Sequence, residues 1–434
     1  MNVLLIVTVL AQTQTLTVQE AVKTSLANHP AVAFADATAE RGRYLTHELQ
    51  ATRLPQLSLE SSVTRFQEPM VVAPLHGFNP LDPPVFDRTL AQGSLLLGYT
   101  LFDAARGDRI ARAEALAAAA GAQGDAARAQ VIAETIRAYL RVRSAREVSA
   151  AQRRQVDALQ RERDRARQLV DQGRAARVIV LRADAALSSA RADAVTAQSE
   201  LEVAHRELAR LLNQPVSAIS AAVLPGVRAR ASASVDRDAM LAAAQQANPE
   251  LKRLRLQREA AAAERSAARG GWWPRLQLGA RFVEYASGTT SPQGEWQGGA
   301  QLSYPIYTGG ARGSAIDRAS AETRVADAEL AWGERRIAES LDRAITALDA
   351  AHARVAALEA AVTQSEEVAR IDQLALQEGA GVQSDYLTAE ATLFRARAGL
   401  TEARAAEVMA RVELARVTGA LTTEWMTTEL ENIP

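Results

Sequence analysis

A long stretch of this chain occurs twice, and the interval between the copies is constant. Leu187, Ala190, Ala194, Ala197, Leu201, Ala204, Leu208 and Leu211 recur in steps of three and four. At the interval from Leu187 to Leu393, 206 residues, the mates are Leu393, Ala396, Leu400, Ala403, Glu407, Ala410, Leu414 and Val417. The same interval carries Val131, Ala138, Val142 and Ala145 onto Ile337, Ala344, Leu348 and Ala351, and DQGRAARVIVLRADAAL at 171–187 onto QEGAGVQSDYLTAEATL at 377–393. Residues three and four apart share one helix face, so each copy predicts a long helical hairpin. Two such hairpins in one chain predict a pseudo-symmetric rod or tube rather than two or three ordinary domains.

Proline placement marks out the hairpins. None of the fourteen prolines falls in 85–214 or 306–433. Proline removes an amide donor and clashes with the preceding turn, so both windows are free to be helical, reversing near Gly173 and near Gly379–Gly381. At about 1.5 Å per residue, a helix from about 105 to 170 would be roughly 100 Å long, more than a globular core needs.

Composition removes several function classes. Lys plus Arg number 50 against 51 Asp plus Glu, and basic clusters such as Arg161 to Arg167 alternate with acids. That balance is a solvated helix face and gives no nucleic-acid footprint. The chain has no cysteine, which excludes disulfides, thiol catalysis, thiolate metal sites and a lipid-modified N-terminal cysteine. His29, His47, His76, His205 and His352 are scattered without ligand spacing, and there is no GxxxxGK[ST] or GxGxxG run, so no metal, cofactor or enzymatic site is expected. Val3 to Leu10, in MNVLLIVTVLAQTQ, is an apolar run of export-signal length, although no Lys or Arg precedes it. No other stretch reaches membrane-helix length. Any crossing of a bilayer would therefore need a closed barrel of strands.

Twelve of the nineteen aromatic residues concentrate in 55–102 and 272–307, where the hydrophobic period changes to two. Leu57, Leu59 and Val63 alternate with Ser58, Glu60, Ser62 and Thr64; Leu95, Leu97, Tyr99 and Leu101 share a face. Leu276, Leu278, Ala280 and Phe282 alternate with Arg275, Gln277, Gly279 and Arg281, and Trp296, Ala300, Leu302, Tyr304 and Ile306 with Gln297, Gly299, Gln301 and Ser303. These read as four strands in two hairpins, each with one apolar and one polar face. The loop at 67–90 is long and holds five prolines; that at 286–295 is shorter and rich in Gly, Ser and Thr. A shorter helix precedes each hairpin, starting near Asn28-His29-Pro30 and Asn248-Pro249-Glu250, where Asn suits the N-cap and Pro the first turn.

The chain then divides into an export signal at 1–14, a first repeat at 15–212 and a connector at 213–238 without period. A second repeat at 239–421 and a tail at 422–434 follow. In the first repeat the strand hairpin spans 55–102 and the helical hairpin 104–212; in the second they span 274–307 and 309–419.

Four strands are too few to enclose a lumen, and left alone they expose two hydrogen-bonding edges. Pooling strands from several chains removes both problems. An outward apolar band with aromatic ends suits an outer-membrane bilayer, and the polar inner face then lines water. The expected fold class is an internally duplicated α+β membrane protein. Its strands join a shared barrel, continued by antiparallel helical coiled coils whose alanine-rich seams permit close packing. The competing reading is a small soluble sheet on a helix bundle, which would make the chain a soluble coiled-coil adaptor or scaffold.

The order of these features resembles the TolC family of outer-membrane efflux and secretion ducts. The resemblance runs from LTVQEAVKTSLANHPAV at 16–32 to VELARVTGAL at 412–421. It includes LPQL at 54–57 against WPRL at 273–276, LFDAARG at 101–107 against YPIYTGGARG at 304–313, and EGAGVQSDYLTAEATL at 378–393. It implies a homotrimer whose strands form a twelve-strand barrel in outer-membrane lipid, and a helical barrel crossing the periplasm. It also implies a periplasmic adaptor protein and an inner-membrane pump as partners. In the family, acidic residues near the second helical turn ring the narrow periplasmic entrance. The first falls on Asp385, six residues after Gly379; the second falls on Thr388, so one acidic ring is missing or displaced. Glu390 and its repeat mate Asp184 are acidic nearby, either as pore charges or as helix surface charges. The adaptor-docking turns would be Gly173-Arg174-Ala175 and Gly379-Ala380-Gly381, which depart from the family's Val-Gly-Leu/Thr type of tip. The function implied is passive export of small molecules; a type I protein secretion duct fits the same residues.

Overall fold

The computed structural model describes residues 15–72, 75–230, 236–288, 290–378 and 380–433. The export signal read at 1–14 lies outside them, as does Gly379. The long elements run in the same order twice, with two short strands added in the first copy. First come α1 (Val18–Asn28), α2 (Pro30–Ala51), β1 (Gln56–Arg65), the short β2 (Met70–Val71) and β3 (Val85–Phe86), β4 (Thr89–Phe102), α3 (Arg106–Asp171) and α4 (Val178–Leu212). After α5 (Val216–Ala221) and β5 (Gly226–Ala229) come α6 (Arg237–Ala247), α7 (Pro249–Gly270), β6 (Arg275–Ser287), β7 (Gln293–Ser303), α8 (Ala311–Gln377) and α9 (Gln383–Thr418). α10 (Thr423–Glu429) and β8 (Leu430–Ile433) follow. Among the described residues no helix is long and apolar enough to cross a membrane.

Two compact units result, each drawing on both repeats. One comprises the chain up to Asp36, Ala122–Lys252 and Gly333 onward; the other comprises Ala37–Gly121 and Arg253–Trp332. In the first, the seams seen in the sequence are the core: Ile136, Tyr139 and Val142 of α3 pack with Leu208 and Leu212 of α4, Val412 of α9 and Val18 and Val22 of α1. The capping chemistry is local. Thr17 forms a reciprocal capping box with Glu20, and the Asn248 side chain accepts from the Glu250 and Leu251 amides at the start of α7. Asn28 differs from expectation. It ends α1 and its amide donates to the Thr24 carbonyl; the His29 ring nitrogen accepts from the Ala31 amide instead. The reason is that α1 already occupies 18–28, so the cap of α2 falls one residue later.

The connector and tail, which carry no periodicity, order each other. β5 pairs antiparallel with β8, Val227 opposite Asn432, and the Asn432 amide donates to Gln19 of α1. Tyr139 is buried with its hydroxyl 3.0 Å from the Leu16 carbonyl and 2.9 Å from that of Pro225. Arg146 donates to the carbonyls of Ile219 and Ala222, closing the end of α5. Burial lowers the pKa of this guanidinium.

The second unit is built on a four-stranded sheet in the order β1-β4-β6-β7, all antiparallel. Asp103 joins strand to helix: its carboxylate accepts from the Ala105 amide opening α3 and pairs with Arg109 at 3.1 Å and Arg275 at 3.4 Å. A register shift between Thr100 and Phe102 sets Phe102, and not Leu101, opposite Leu276. Leu101 therefore leaves the shared apolar face at a bulge. β7 ends at Ser303, so Tyr304 and Ile306 extend beyond the strand.

Candidate functional site

The turn between α3 and α4 follows from one glycine. Gly173 takes φ +71°, a conformation costly for a residue with a Cβ. It lets the Arg174 amide donate back to the Leu169 carbonyl at 2.8 Å and Gly173 to Val170 at 2.9 Å, the double closure of a Schellman end. The turn between α8 and α9 has the mate of the first bond, Ala380 amide to Ala375 carbonyl at 3.0 Å. Gly381 is required there for another reason: a Cβ would lie 2.8 Å from the Leu376 amide nitrogen. Gly379 lies outside the described residues.

α9 then opens at Gln383 without a side-chain cap, and Asp385 stands in its first turn, where a carboxylate is favoured by the partial positive charge of the helix start. Asp385 is exposed and accepts from the Ser384 hydroxyl at 3.2 Å. Thr388 is exposed one turn on, its hydroxyl donating to the Ser384 carbonyl. Glu390 turns toward α3. It lines a groove of about 1040 Å³ with Arg154, Arg161, Glu162, Arg165 and Phe394. Tyr386 lines the same groove, and burial followed by the nearby Glu390 and Glu162 carboxylates pushes its phenol up, so it stays a protonated donor. Asp184 does not join this group. It pairs across its own hairpin with Arg167 at 3.4 Å and Arg163 at 3.8 Å, which compensates its charge. Hydrogen bonds from Gln383 to Glu162 at 2.7 Å and from Thr401 to Glu147 at 3.1 Å tie the hairpins together. Sequence periodicity had no means of finding these pairs, because they join residues of different repeats.

In the sheet unit, pairing register sorts the side chains onto two faces. One face carries Leu57, Leu97, Ala280 in one row and Leu59, Leu95, Phe282, Trp296 in the next. It is open: Leu59 is 79% and Trp296 77% exposed. The other face carries Ser58, Leu96, Arg281 and Gln297, then Gln56, Gly98, Gly279 and Gly299, then Thr100, Gln277 and Gln301. The row of facing glycines leaves a strip without side chains, as sharply curved sheets need. β1 and β7 each have a neighbour on one side only. Beside the strands, the Arg312 guanidinium lies 4.2 Å from the Trp272 ring centroid and 5.8 Å from that of Tyr304, a cation–π stack that hydrophobic patterning does not reveal.

Short apolar-faced strands attached to paired helical hairpins define the class of outer-membrane channel folds. The chain belongs to the outer membrane efflux protein family, whose profile matches residues 21–214 and 240–420. It is a channel protein of the outer membrane and not an enzyme. Among solved structures it is similar to the outer membrane protein VceC of Vibrio cholerae, with 20% identity over 93% of this chain and 96% of that one and a TM-score of 0.76. It is also similar to the CmeC outer membrane channel of Campylobacter jejuni, with 15% identity over 95% and 88% and a TM-score of 0.80. The open state of the MtrE outer membrane channel of Neisseria gonorrhoeae gives 20% identity, 94% and 90% coverage and a TM-score of 0.74. No curated protein sequence matches the chain.

Proposed function

We propose that three copies of this chain pool their strands into one twelve-strand barrel around water, and that this trimer is the passive exit duct for small molecules. The helical hairpins extend on the periplasmic side. A periplasmic adaptor docks at the turns around Gly173, Arg174, Gly379 and Gly381, and an inner-membrane pump supplies the energy. One observation carries the reading: the sheet leaves β1 and β7 each with one free edge, and one face open and apolar from Leu57 and Leu59 across to Phe282 and Trp296. In water such edges and such a face are liabilities. In a bilayer, edge-to-edge joining of three sheets removes the first and lipid covers the second.

Asp385 is the residue best suited to select ions at the entrance, since it is exposed and unpaired by any cation among the described residues, whereas Asp184 is held by two arginines. Three Asp385 carboxylates would attract cations and disfavour anions; Thr388 and Glu390 flank the ring. Opening would separate α3 from α9 by breaking the Gln383–Glu162 and Thr401–Glu147 bonds, a switch between two packings. The test is detergent extraction from outer membranes followed by single-channel recording. A trimer that conducts, with cation preference falling toward unity in Asp385→Ala, is expected. A soluble monomer without conductance sinks the duct, and unchanged selectivity removes Asp385 from the entrance.

A further inference from the structure

The alternation that defines the two sheet faces reverses near one end. On β6, Arg275, Gln277, Gly279 and Arg281 share the polar face, and the next two residues on that face are Val283 and Tyr285. Both are buried, at 4% and 6% exposure, while Glu284 on the opposite face is exposed. What covers them is the loop between β1 and β4. Leu75 and Phe86 from this loop form a core with Leu90, Val283 and Tyr285, and Val72 and Phe78 pack against it. The Phe86 and Tyr285 rings meet edge to face with centroids 6.2 Å apart. Polar contacts fix the same placement. The His76 amide donates to the Glu295 carboxylate at 2.9 Å, the Asp87 amide donates to the Ser287 hydroxyl at 3.2 Å, and the Thr290 hydroxyl donates to the Val85 carbonyl at 2.6 Å. Glu295 pairs with Val283 and lies on the same face. So does Ser94, which is 2% exposed.

The loop is thus folded onto the polar face, at the end of the sheet away from the junctions with α2, α3, α7 and α8. On the duct reading, which this inference rests on, the polar face is the lumen wall and that end is the exterior mouth. We infer that the β1–β4 loop is an inward-folded collar that narrows the outer mouth and sets the upper size of solute the duct passes. Phe86 and Glu295 are its anchoring residues. The chemistry agrees: the apolar residues Val72, Leu75, Phe78 and Phe86 have no role in a loop that only joins strands through water, and here they make a small core of their own. With three chains around one axis, three such collars would face each other across the lumen.

The absence of natural cysteine makes the test direct. Ser94→Cys, close in size, introduces one thiol beneath the collar, and Gln277→Cys introduces one on the uncovered part of the same face. In the detergent-solubilised full chain, a water-soluble maleimide is expected to label Gln277→Cys readily and Ser94→Cys slowly. Adding Phe86→Ser or Glu295→Ala should accelerate labelling at Ser94→Cys severalfold. In planar bilayers the same two anchor variants should raise single-channel conductance and admit larger neutral polymers than the parent. Glu295→Ala removes the acceptor and leaves the apolar cluster around Phe86 in place, so it carries the test if Phe86→Ser fails to assemble. A conducting parent with unchanged conductance and polymer cutoff in Glu295→Ala overturns the collar. A parent that does not conduct, with Ser94→Cys still protected, overturns the duct reading and leaves the folded-in loop standing.

Discussion

The two repeats end their helical hairpins with the same hydrogen bond and different residues. After α4, Asn213 takes φ 52° and the Gln214 amide donates to the Ala209 carbonyl at 2.9 Å. After α9, Gly419 takes φ 78° and the Ala420 amide donates to Ala415 at 2.8 Å. Asn tolerates the left-handed conformation better than most residues with a Cβ, and nothing crowds the first turn into needing glycine. At the second turn a Cβ on Gly419 would sit 2.5 Å from the Ala247 carbonyl oxygen. The backbone solution is common to both copies, and the packing around it decides which residue can supply it.

Side-chain chemistry has diverged further. Arg146 of α3 lies 3.2 Å from the His205 ring of α4. The 206-residue interval from Leu187 to Leu393 carries these two positions onto His352 and Arg411, so the two residue types have changed places between the helices. His352 pairs with Glu407 at 3.2 Å, and Arg411 is buried with Nε and Nη1 lacking a hydrogen-bond partner among the described residues. Only the first hairpin must close the end of α5, and the Arg146 guanidinium is recruited to do so. Tyr139 is similarly one-sided: its mate is Ile345, which makes no hydrogen bond through its side chain. Duplication supplied the rods, and the segments added between them made the copies unequal.

Three comparisons would break or sharpen this contrast. The largest effect is expected at the paired turns. Gly419→Ala should lower stability by about 2 kcal/mol or more through left-handed strain and a backbone clash, while Asn213→Gly should change it by only a few tenths of a kcal/mol. Thermal melting of the detergent-solubilised protein reads both, and equal effects would mean that the turns are not distinguished by packing. Next, Tyr139→Phe leaves the Leu16 and Pro225 carbonyls without their buried donor and should cost roughly 1–3 kcal/mol. Ile345→Val at the mate position should cost about 1 kcal/mol. The smallest effect concerns pH. Burial, and then the neighbouring Arg146 charge, lower the His205 pKa from its usual 6.5. The unfolded chain then binds the proton more readily than the folded one, so stability is full above about pH 6.5 and declines as pH falls below it. His205→Gln keeps an acceptor for Arg146 and should flatten that decline, which melting curves between neutral and mildly acidic pH would detect.

Much of this architecture was legible in the residues. Leu208 and Val412 recur at helical spacing because one face of each rod must leave water, and both are buried. Leu59 and Phe282 alternate with polar neighbours because a two-faced strand allows nothing else, and they lie on one open face. The charges were harder to read. Asp184 and Asp385 look alike in sequence, and only their surroundings separate a carboxylate held by Arg163 and Arg167 from one left exposed.

By itself, then, the sequence determined the periodic parts: two repeats, their rods, four strands and the turn glycines. Each of these follows from residues a few positions apart, where period and backbone sterics act directly. Tertiary structure alone decided the pairing of β5 with β8, the meeting of Gln383 with Glu162, the stacking of Arg312 on Trp272, and the folding of the β1–β4 loop onto Val283 and Tyr285. These join residues far apart in the chain or held by irregular backbone, where no local period records the partner and only the packed whole brings the groups within reach.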